Sequence, residues 1–599
     1  MEKRMIGAIA LCFLAYILFM YLYPPPKADE TASPAKAAAA VTQAAEPAPV
    51  AAAVTAPSTP EAQPAAPGAP APAAPAPAPA PAGAPAAPAV PDSVAAARKV
   101  QVADPLFELS LDNRGGVIEH FTLKRYQDGG KNVDLILDPS FQKEKLAPAE
   151  RFLGLSFPEG AVENRVSYAL NADPYTVTEE DKPRPHPVTG ASEPCRTVVL
   201  ALTRSGVTAR KELSVWKESY VLRLKTSVTR GATPIPHYVR LGPGLTNLDL
   251  IPSDPSQLPP HAVFYHGDAA HPVMGEAIGR FKRQTGQISW AGVQNKYFAA
   301  VAIPAAPFGE VLLENRVLSF KQKETEEAKP VHLVTTLVPG GDTFLFMGPK
   351  AYDVLSGIRS DLAQTIDYGM FSFIVKPLYY VMKYLQASIP NMGLCLITLT
   401  LVITLALFPL RFHQMKSMKK MQVIQPQMKA IQARYRGKKS AQDRQNMNQE
   451  MMALYKEAGV NPMGGCLPLL AQLPFLFAFY NLVSQSIEFW RQPFVLWIRD
   501  LSMADPTWIT PILMGASMVI QMKQTPQAPG QDNRTQKMMM YVMPVIMTFM
   551  FISLSSGLVI YFLFSNIFAW GMQVIADKFM KTPKVELASA PAGRPRKNR

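Results

Sequence analysis

The chain has 599 residues, a formal net charge of +14, 48% apolar residues and only four cysteines. That length admits several domains, and Cys12, Cys195, Cys395 and Cys466 are too scattered for a disulfide framework or a metal quartet. The excess Lys and Arg sit beside apolar runs, which favours anionic lipid or ribosomal RNA at a membrane over free nucleic acid.

Residues 1–23 begin with Lys3 and Arg4 and run apolar to Tyr23. No small-x-small cleavage site follows, and Leu11 before Cys12 does not fit a lipoprotein site. The segment reads as an N-terminal transmembrane anchor with its amino end in the cytoplasm. Residues 24–99, dominated by Ala and Pro, cannot bury a core and form an extended, semi-rigid linker.

Residues 100–350 read as a soluble β domain. Phe107, Leu109 and Leu111 alternate with Glu108, Ser110 and Asp112 before an Asn113-Arg114-Gly115-Gly116 turn. Tyr220, Leu222, Leu224 and Thr226 repeat the alternation. Many short strands with Gly and Pro turns predict a large sandwich, and one preceding span puts it outside the inner membrane. Residues 369–387 predict an amphipathic helix on the outer membrane surface. Lys376 and Lys383 share a face there, and Tyr379, Tyr380 and Tyr384 suit an interface.

From 391 onward apolar runs of near-spanning length recur. They predict transmembrane helices at 391–411, 466–487, 507–522, 538–554 and 557–576. Residues 412–460 are too polar for lipid, and from Arg411 the segment carries eleven basic residues against three acidic ones. They predict a cytoplasmic helical hairpin turning at Arg436-Gly437-Lys438-Lys439-Ser440. Residues 577–599 form a basic cytoplasmic tail. Each basic cluster beside a span then falls on one side, giving six spans with both termini cytoplasmic.

No Walker-type phosphate loop, His-Glu-x-x-His or Gly-x-Ser-x-Gly elbow is present, so the sequence calls for no enzyme and no cofactor. The spans hold polar residues but hardly any ionisable ones. Thr400 and Thr404 lie four apart on one helical face, with Arg411 seven further on. Two readings fit them: hydrogen bonding between helices, or the lining of a hydrated groove. Arg411 is either a snorkelling anchor or a cation at the groove mouth. The hairpin methionines, including Met415, Met418, Met421, Met428, Met447, Met451 and Met452, either pack its seam or present an adaptable apolar surface.

At Asn461-Pro462-Met463-Gly464-Gly465-Cys466-Leu467-Pro468 the chain resembles the YidC family of membrane protein insertases. The likeness continues through Gln472-Leu473-Pro474, Pro493-Phe494-Val495-Leu496-Trp497-Ile498-Arg499-Asp500-Leu501, Pro511-Ile512-Leu513-Met514-Gly515, Met543-Pro544 and Ser556-Gly557-Leu558. The long outer domain and the extra first span resemble the Gram-negative branch. The resemblance implies an α-helical polytopic membrane protein with six spans, five of them an insertase core, plus an all-β supersandwich periplasmic domain. It implies a hydrophilic groove, open to the cytoplasm and lipid and closed outside, through which nascent membrane proteins enter the bilayer. Thr400, Thr404, Gln472, Tyr561 and Arg411 are its candidate groove residues. Met415, Lys419, Lys420, Met421, Arg434 and Arg436 are candidates for substrate or ribosome contact. The implied partners are nascent chains, the Sec translocon, the ribosome and anionic lipids, with no nucleotide consumed. The family pattern has an arginine five residues before the Pro409 position, where this chain has Thr404. Phe562 stands where the family has a tyrosine beside Tyr561. A membrane assembly chaperone without independent insertase activity shares these features. A secondary transporter should show repeated halves and an intramembrane ionisable residue, and neither is visible.

Overall fold

A period-two pattern with one apolar face builds the first half of the molecule. The computed structural model describes residues 92, 95–137, 146–246, 258–320, 329–437, 440–458, 467–524 and 533–579. The expected anchor at 1–23, nearly all of the linker, residues 461–466 and the tail beyond Phe579 lie outside the described residues. Strands β1 (Lys99–Ala103), β2 (Phe107–Asp112), β3 (Val117–Asp128) and β4 (Lys131–Asp134) pair in that order as an antiparallel sheet. Phe107, Leu109 and Leu111 are fully buried while Glu108 is exposed. Gly115 in the following turn has φ +75°, and a Cβ there would stand 2.2 Å from the Asn171 carbonyl oxygen, so the turn admits only glycine.

A second sheet has fourteen strands. Near its middle, Phe298–Pro304 pairs antiparallel with Phe281–Gln294 and Asp342–Pro349. Both sheets contribute to one core containing Phe121, Trp290, Phe298 and Phe346. Two short helices, α1 (Asn164–Ala172) and α2 (Gly275–Ile278), belong to this half.

The rest is helical. After α3 (Tyr352–Ile358) come α4 (Ser372–Ser388), α5 (Met392–Ala406), α6 (Phe408–Arg434), α7 (Ala441–Glu457), α8 (Leu467–Gln485), α9 (Ile509–Gln524), α10 (Asn533–Phe551) and α11 (Ser556–Phe579). By length and composition, Ser556–Ala576 of α11 can cross a bilayer alone among the described residues. Apolar stretches at Met392–Ala406, Ile509–Lys523 and Met540–Phe551 are shorter. Helix α4 buries Val375, Tyr379 and Met382 and exposes Phe373, Tyr380, Val381 and Tyr384, an apolar stripe on its free side.

The loop at 486–508 gathers one end of each bundle helix. Asn391, which caps α5, donates its Nδ2 to the Phe494 carbonyl. Ser486 closes α8 by donating its N–H to the Leu482 carbonyl. Asp505 accepts the Thr510 N–H at the start of α9. Ser556, at the α10–α11 turn, donates its N–H and hydroxyl to the Met503 carbonyl. The bundle helices therefore run alternately up and down, and the α6–α7 hairpin hangs from the opposite end.

The same loop docks the β domain. Trp490 lies edge-on to Phe298 at 5.4 Å between ring centroids and packs beside Tyr126 and Tyr297. Arg491 pairs with Asp128 at 2.6 Å. Beside this contact, Tyr379 of α4 donates its hydroxyl to Glu488 at 2.6 Å and lies 3.0 Å from Asp353 of α3. Lys383 bridges Asp353 and Glu488 at 3.1 and 3.4 Å. Burial pushes the Glu488 carboxyl above its ordinary value, although Tyr379 and Lys383 work the other way. Burial likewise opposes the Lys383 charge, but Glu488 and Asp353 outweigh it and hold its pKa above the usual lysine value.

An acid whose folded pKa is raised keeps a proton that the unfolded chain releases. Its stabilising contribution is complete below the ordinary glutamate value of about 4.3 and is lost as pH rises through the folded value. The thermal midpoint of the detergent-purified protein should therefore fall as pH rises above about 4.3, and Glu488→Gln should flatten that slope while keeping an acceptor for Tyr379. An unchanged slope in the variant would assign the pH dependence elsewhere.

Candidate functional site

Helix α5 presents two different faces. Met392, Leu396, Leu399, Thr400, Ile403 and Thr404 are buried, whereas Leu394, Leu401, Val402 and Leu405 are exposed. Both threonines thus lie on the protein-facing side, against which α11 packs. Their hydroxyl protons are already committed. Thr400 Oγ1 donates to the Leu396 carbonyl at 2.8 Å, and Thr404 Oγ1 donates to the Thr400 carbonyl at 2.6 Å. With the protons so placed, each threonine oxygen offers its lone pairs to a neighbour.

Tyr561 on α11 is buried and stacks on Phe479 of α8, with ring centroids 3.8 Å apart. Phe562 beside it turns edge-on to Phe551 of α10 at 4.7 Å. Arg411 lies one turn into α6 and is half-buried. Thr400, Thr404, Arg411 and Tyr561 therefore belong to one region, where α5, its continuation α6, and α11 meet. Gln472 lies on α8. A further polar contact joins α11 to α9 through Asn566 Nδ2 and Ser517 Oγ at 3.1 Å. Close approach of α9 to α10 comes from Gly515, where a Cβ would stand 2.0 Å from Thr548 Oγ1.

In the hairpin, Ile424, Met428 and Ile431 of α6 pack on Met451, Leu454 and Tyr455 of α7. Met421 and Met447 pack against this seam, while Met452 is 47% exposed. Met415 is half-buried and outside the seam cluster. The methionines thus divide between the two roles open from sequence. Lys419 and Lys420 are half-buried, and Arg434 and Arg436 are exposed. Arg434 pairs with Glu450 at 3.0 Å.

The end of the bundle nearest the β domain is closed by residues that sequence reasoning did not single out as candidate site residues. Asp505 accepts from the Thr507 and Thr510 backbone N–H groups, from both threonine hydroxyls and from Trp497 Nε1. Burial alone would raise its pKa, but these donors outweigh it, the Thr510 and Thr507 hydroxyls most of all, and hold it at about 2. Phe494 presses on Gly393, where a Cβ would come within 2.0 Å of the ring. The motif at Pro493–Leu501 marked part of this loop in the sequence, and an aspartate with a Thr-x-x-Thr at the head of an apolar run is a capping pattern that could have marked the rest.

Apolar helices with buried polar groups between them, one of them long enough to cross a bilayer, stand against a large β domain, the architecture of a membrane protein with an extramembrane domain. Residues 384–584 match the family described as 60Kd inner membrane protein, and residues 99–381 match the YidC periplasmic domain. The membrane protein insertase YidC of Geotalea daltonii is 31% identical over 96% of this chain and 99% of its own. That of Geobacter sulfurreducens is 30% identical over 80% of this chain and 86% of its own, and that of Nitratidesulfovibrio vulgaris 32% over the same shares. The chain belongs to the YidC family of membrane protein insertases. The β domain is accordingly periplasmic and the helical region belongs to the inner membrane.

Because Thr404 keeps its shape on change to valine but loses its oxygen, that substitution isolates the hydroxyl. Thr404→Val should slow insertion of a small single-span substrate by about threefold to thirtyfold, from about 0.6–2 kcal/mol per intramembrane hydrogen bond. Thr404→Ser should stay near wild type. Equal rates for the two variants in a proteoliposome insertion assay would show that the hydroxyl has no part in transport.

Proposed function

We propose that the protein inserts nascent inner-membrane proteins by leading their short hydrophilic tails through a groove bounded by α5, α8 and α11, with six spans in all and both termini in the cytoplasm. Stripping water from a polar tail costs several kcal/mol for each unpaired group in hydrocarbon. Oxygen lone pairs on Thr400 and Thr404 accept from the backbone N–H groups of a passing segment. The lipid-facing side of α5 leaves its apolar part a route into the bilayer. What supports this reading is the burial of Thr400, Thr404 and Tyr561 among helices whose ends toward the β domain are tied by the 486–508 loop.

The α6–α7 hairpin receives substrate and ribosome through Met415, Lys419, Lys420, Met421, Arg434 and Arg436. The Sec translocon and anionic lipids are the other partners, and no nucleotide is consumed. The outer half is a supersandwich whose two sheets hold the periplasmic loop in place. Arg411 supplies a cation at the cytoplasmic mouth in place of the arginine that Thr404 displaces. Its partial burial favours this role over that of a lipid-facing anchor.

Reconstitution of the purified protein in liposomes tests the reading directly. A single-span substrate with a short translocated tail should insert without added nucleotide, and failure to insert without other proteins would favour an assembly chaperone. In the same assay Arg411→Gln should slow substrates with acidic tails more than those with neutral tails. Equal slowing of both would leave Arg411 as an anchor.

A further inference from the structure

Between Gln492 and Asp500 the periplasmic loop makes a tight turn, with the Phe494 N–H donating to the Ile498 carbonyl and the Ile498 N–H to the Val495 carbonyl. At its tip Leu496 is 83% exposed with φ +56°, and Val495 is 45% exposed. A leucine is an unfavourable choice there twice over. The left-handed backbone favours glycine or asparagine, and an exposed aliphatic chain gains nothing from water. Strained backbone at an exposed apolar tip points to a contact outside the chain.

Position decides the contact. Phe494 is wedged on Gly393, and its carbonyl accepts from Asn391, so the turn is fixed at the periplasmic end of α5. The next residue on α5, Leu394, is 48% exposed. Helix α4, which ends three residues before Asn391, exposes Phe373, Tyr380 and Tyr384. Trp508, 56% exposed, stands at the start of α9, and Arg499 is exposed beside the tip. Aromatic and basic side chains around an aliphatic point are what an interface between headgroups and acyl chains accommodates.

We propose that the Val495–Leu496 tip inserts into the acyl region of the periplasmic leaflet, as a lipid anchor that fixes the height of the 486–508 loop in the membrane. This rests on the reading that α5 crosses the bilayer. The lipid surface is favoured over a protein partner because the tip continues the lipid-exposed side of α4 and α5, whereas the β domain engages Trp490 and Arg491 instead.

The test uses the full chain with Cys12, Cys195, Cys395 and Cys466 replaced by serine, carrying Leu496→Cys labelled with an environment-sensitive fluorophore. The protein is reconstituted alone in phosphatidylethanolamine and phosphatidylglycerol vesicles containing nitroxide lipids labelled at the headgroup, the upper acyl chain or the chain end. Val495→Cys provides a second position should the first variant misfold. Arg230→Cys, on the β domain, serves as the aqueous reference and Leu401→Cys, mid-way along α5, as the buried one. Expected at Leu496→Cys is a blue-shifted emission, quenched most by the upper-chain nitroxide and poorly by aqueous iodide. Emission and iodide quenching equal to those at Arg230→Cys would overturn the proposal, whether the tip is free or awaits a protein partner. A water-exposed label at Leu401→Cys would instead overturn the spanning reading.

Discussion

The arrangement depends on one constraint: the periplasmic ends of the helices must have their backbone groups satisfied where water gives out. The 486–508 loop meets it almost entirely from within. Leu501 and Met503 offer carbonyls to the α10–α11 turn, and Asp505 collects five donors at the head of α9. Asn391 serves twice, capping α5 with its side-chain oxygen and bonding the loop through its nitrogen. Each bond is modest alone, but breaking any one leaves a buried polar group unpaired, which costs about 1–3 kcal/mol. The loop is thus a rigid clamp from which the helices descend, and the β domain rests on it through Trp490 and Arg491.

Rigidity on that side contrasts with the chemistry between the helices. The threonines of α5 donate to carbonyls of their own helix. Each hydroxyl keeps lone pairs that can still accept from a neighbouring helix. The stripe is neutral where the family pattern has a cation. On the proposed groove reading, polarity without a fixed charge discriminates weakly between acidic and neutral segments, and the nearest cation along the chain is Arg411.

Much of this was legible in the sequence because hydropathy and period speak directly to it. The strand alternation at 107–112, the apolar runs and the motif from Asn461 to Pro468 separate a β-rich domain from a helical membrane region. The spacing of Thr400 and Thr404 put them on one face, and both are buried there. The direction of their hydroxyls was not legible, since it depends on a competition between the helix carbonyls and outside partners. The clamp was equally hidden. Glu488, Trp490 and Phe494 sit in an ordinary-looking connection, and their partners Tyr379, Phe298 and Gly393 are about a hundred or more residues away. Lys383 was readable as a charge on an amphipathic face, but its pairing with Asp353 and Glu488 needed the fold.

Helix length connects the clamp to the work of the bundle. At about 1.5 Å per residue, the 15 residues of α5 rise only about 22 Å, against about 30 Å of hydrocarbon. The helical path does not stop there: the Leu407 N–H donates to the Ile403 carbonyl and the Arg411 N–H to the Leu407 carbonyl, so the first turn of α6 makes up the remaining length. There the chain changes at once from apolar side chains to Arg411, His413 and Lys416. Arg411 then stands about 30 Å from the clamp, close to one hydrocarbon thickness, where a long charged side chain reaches the headgroups. The height of the clamp and the level of Arg411 are thus both set by the run from Asn391 to Arg411.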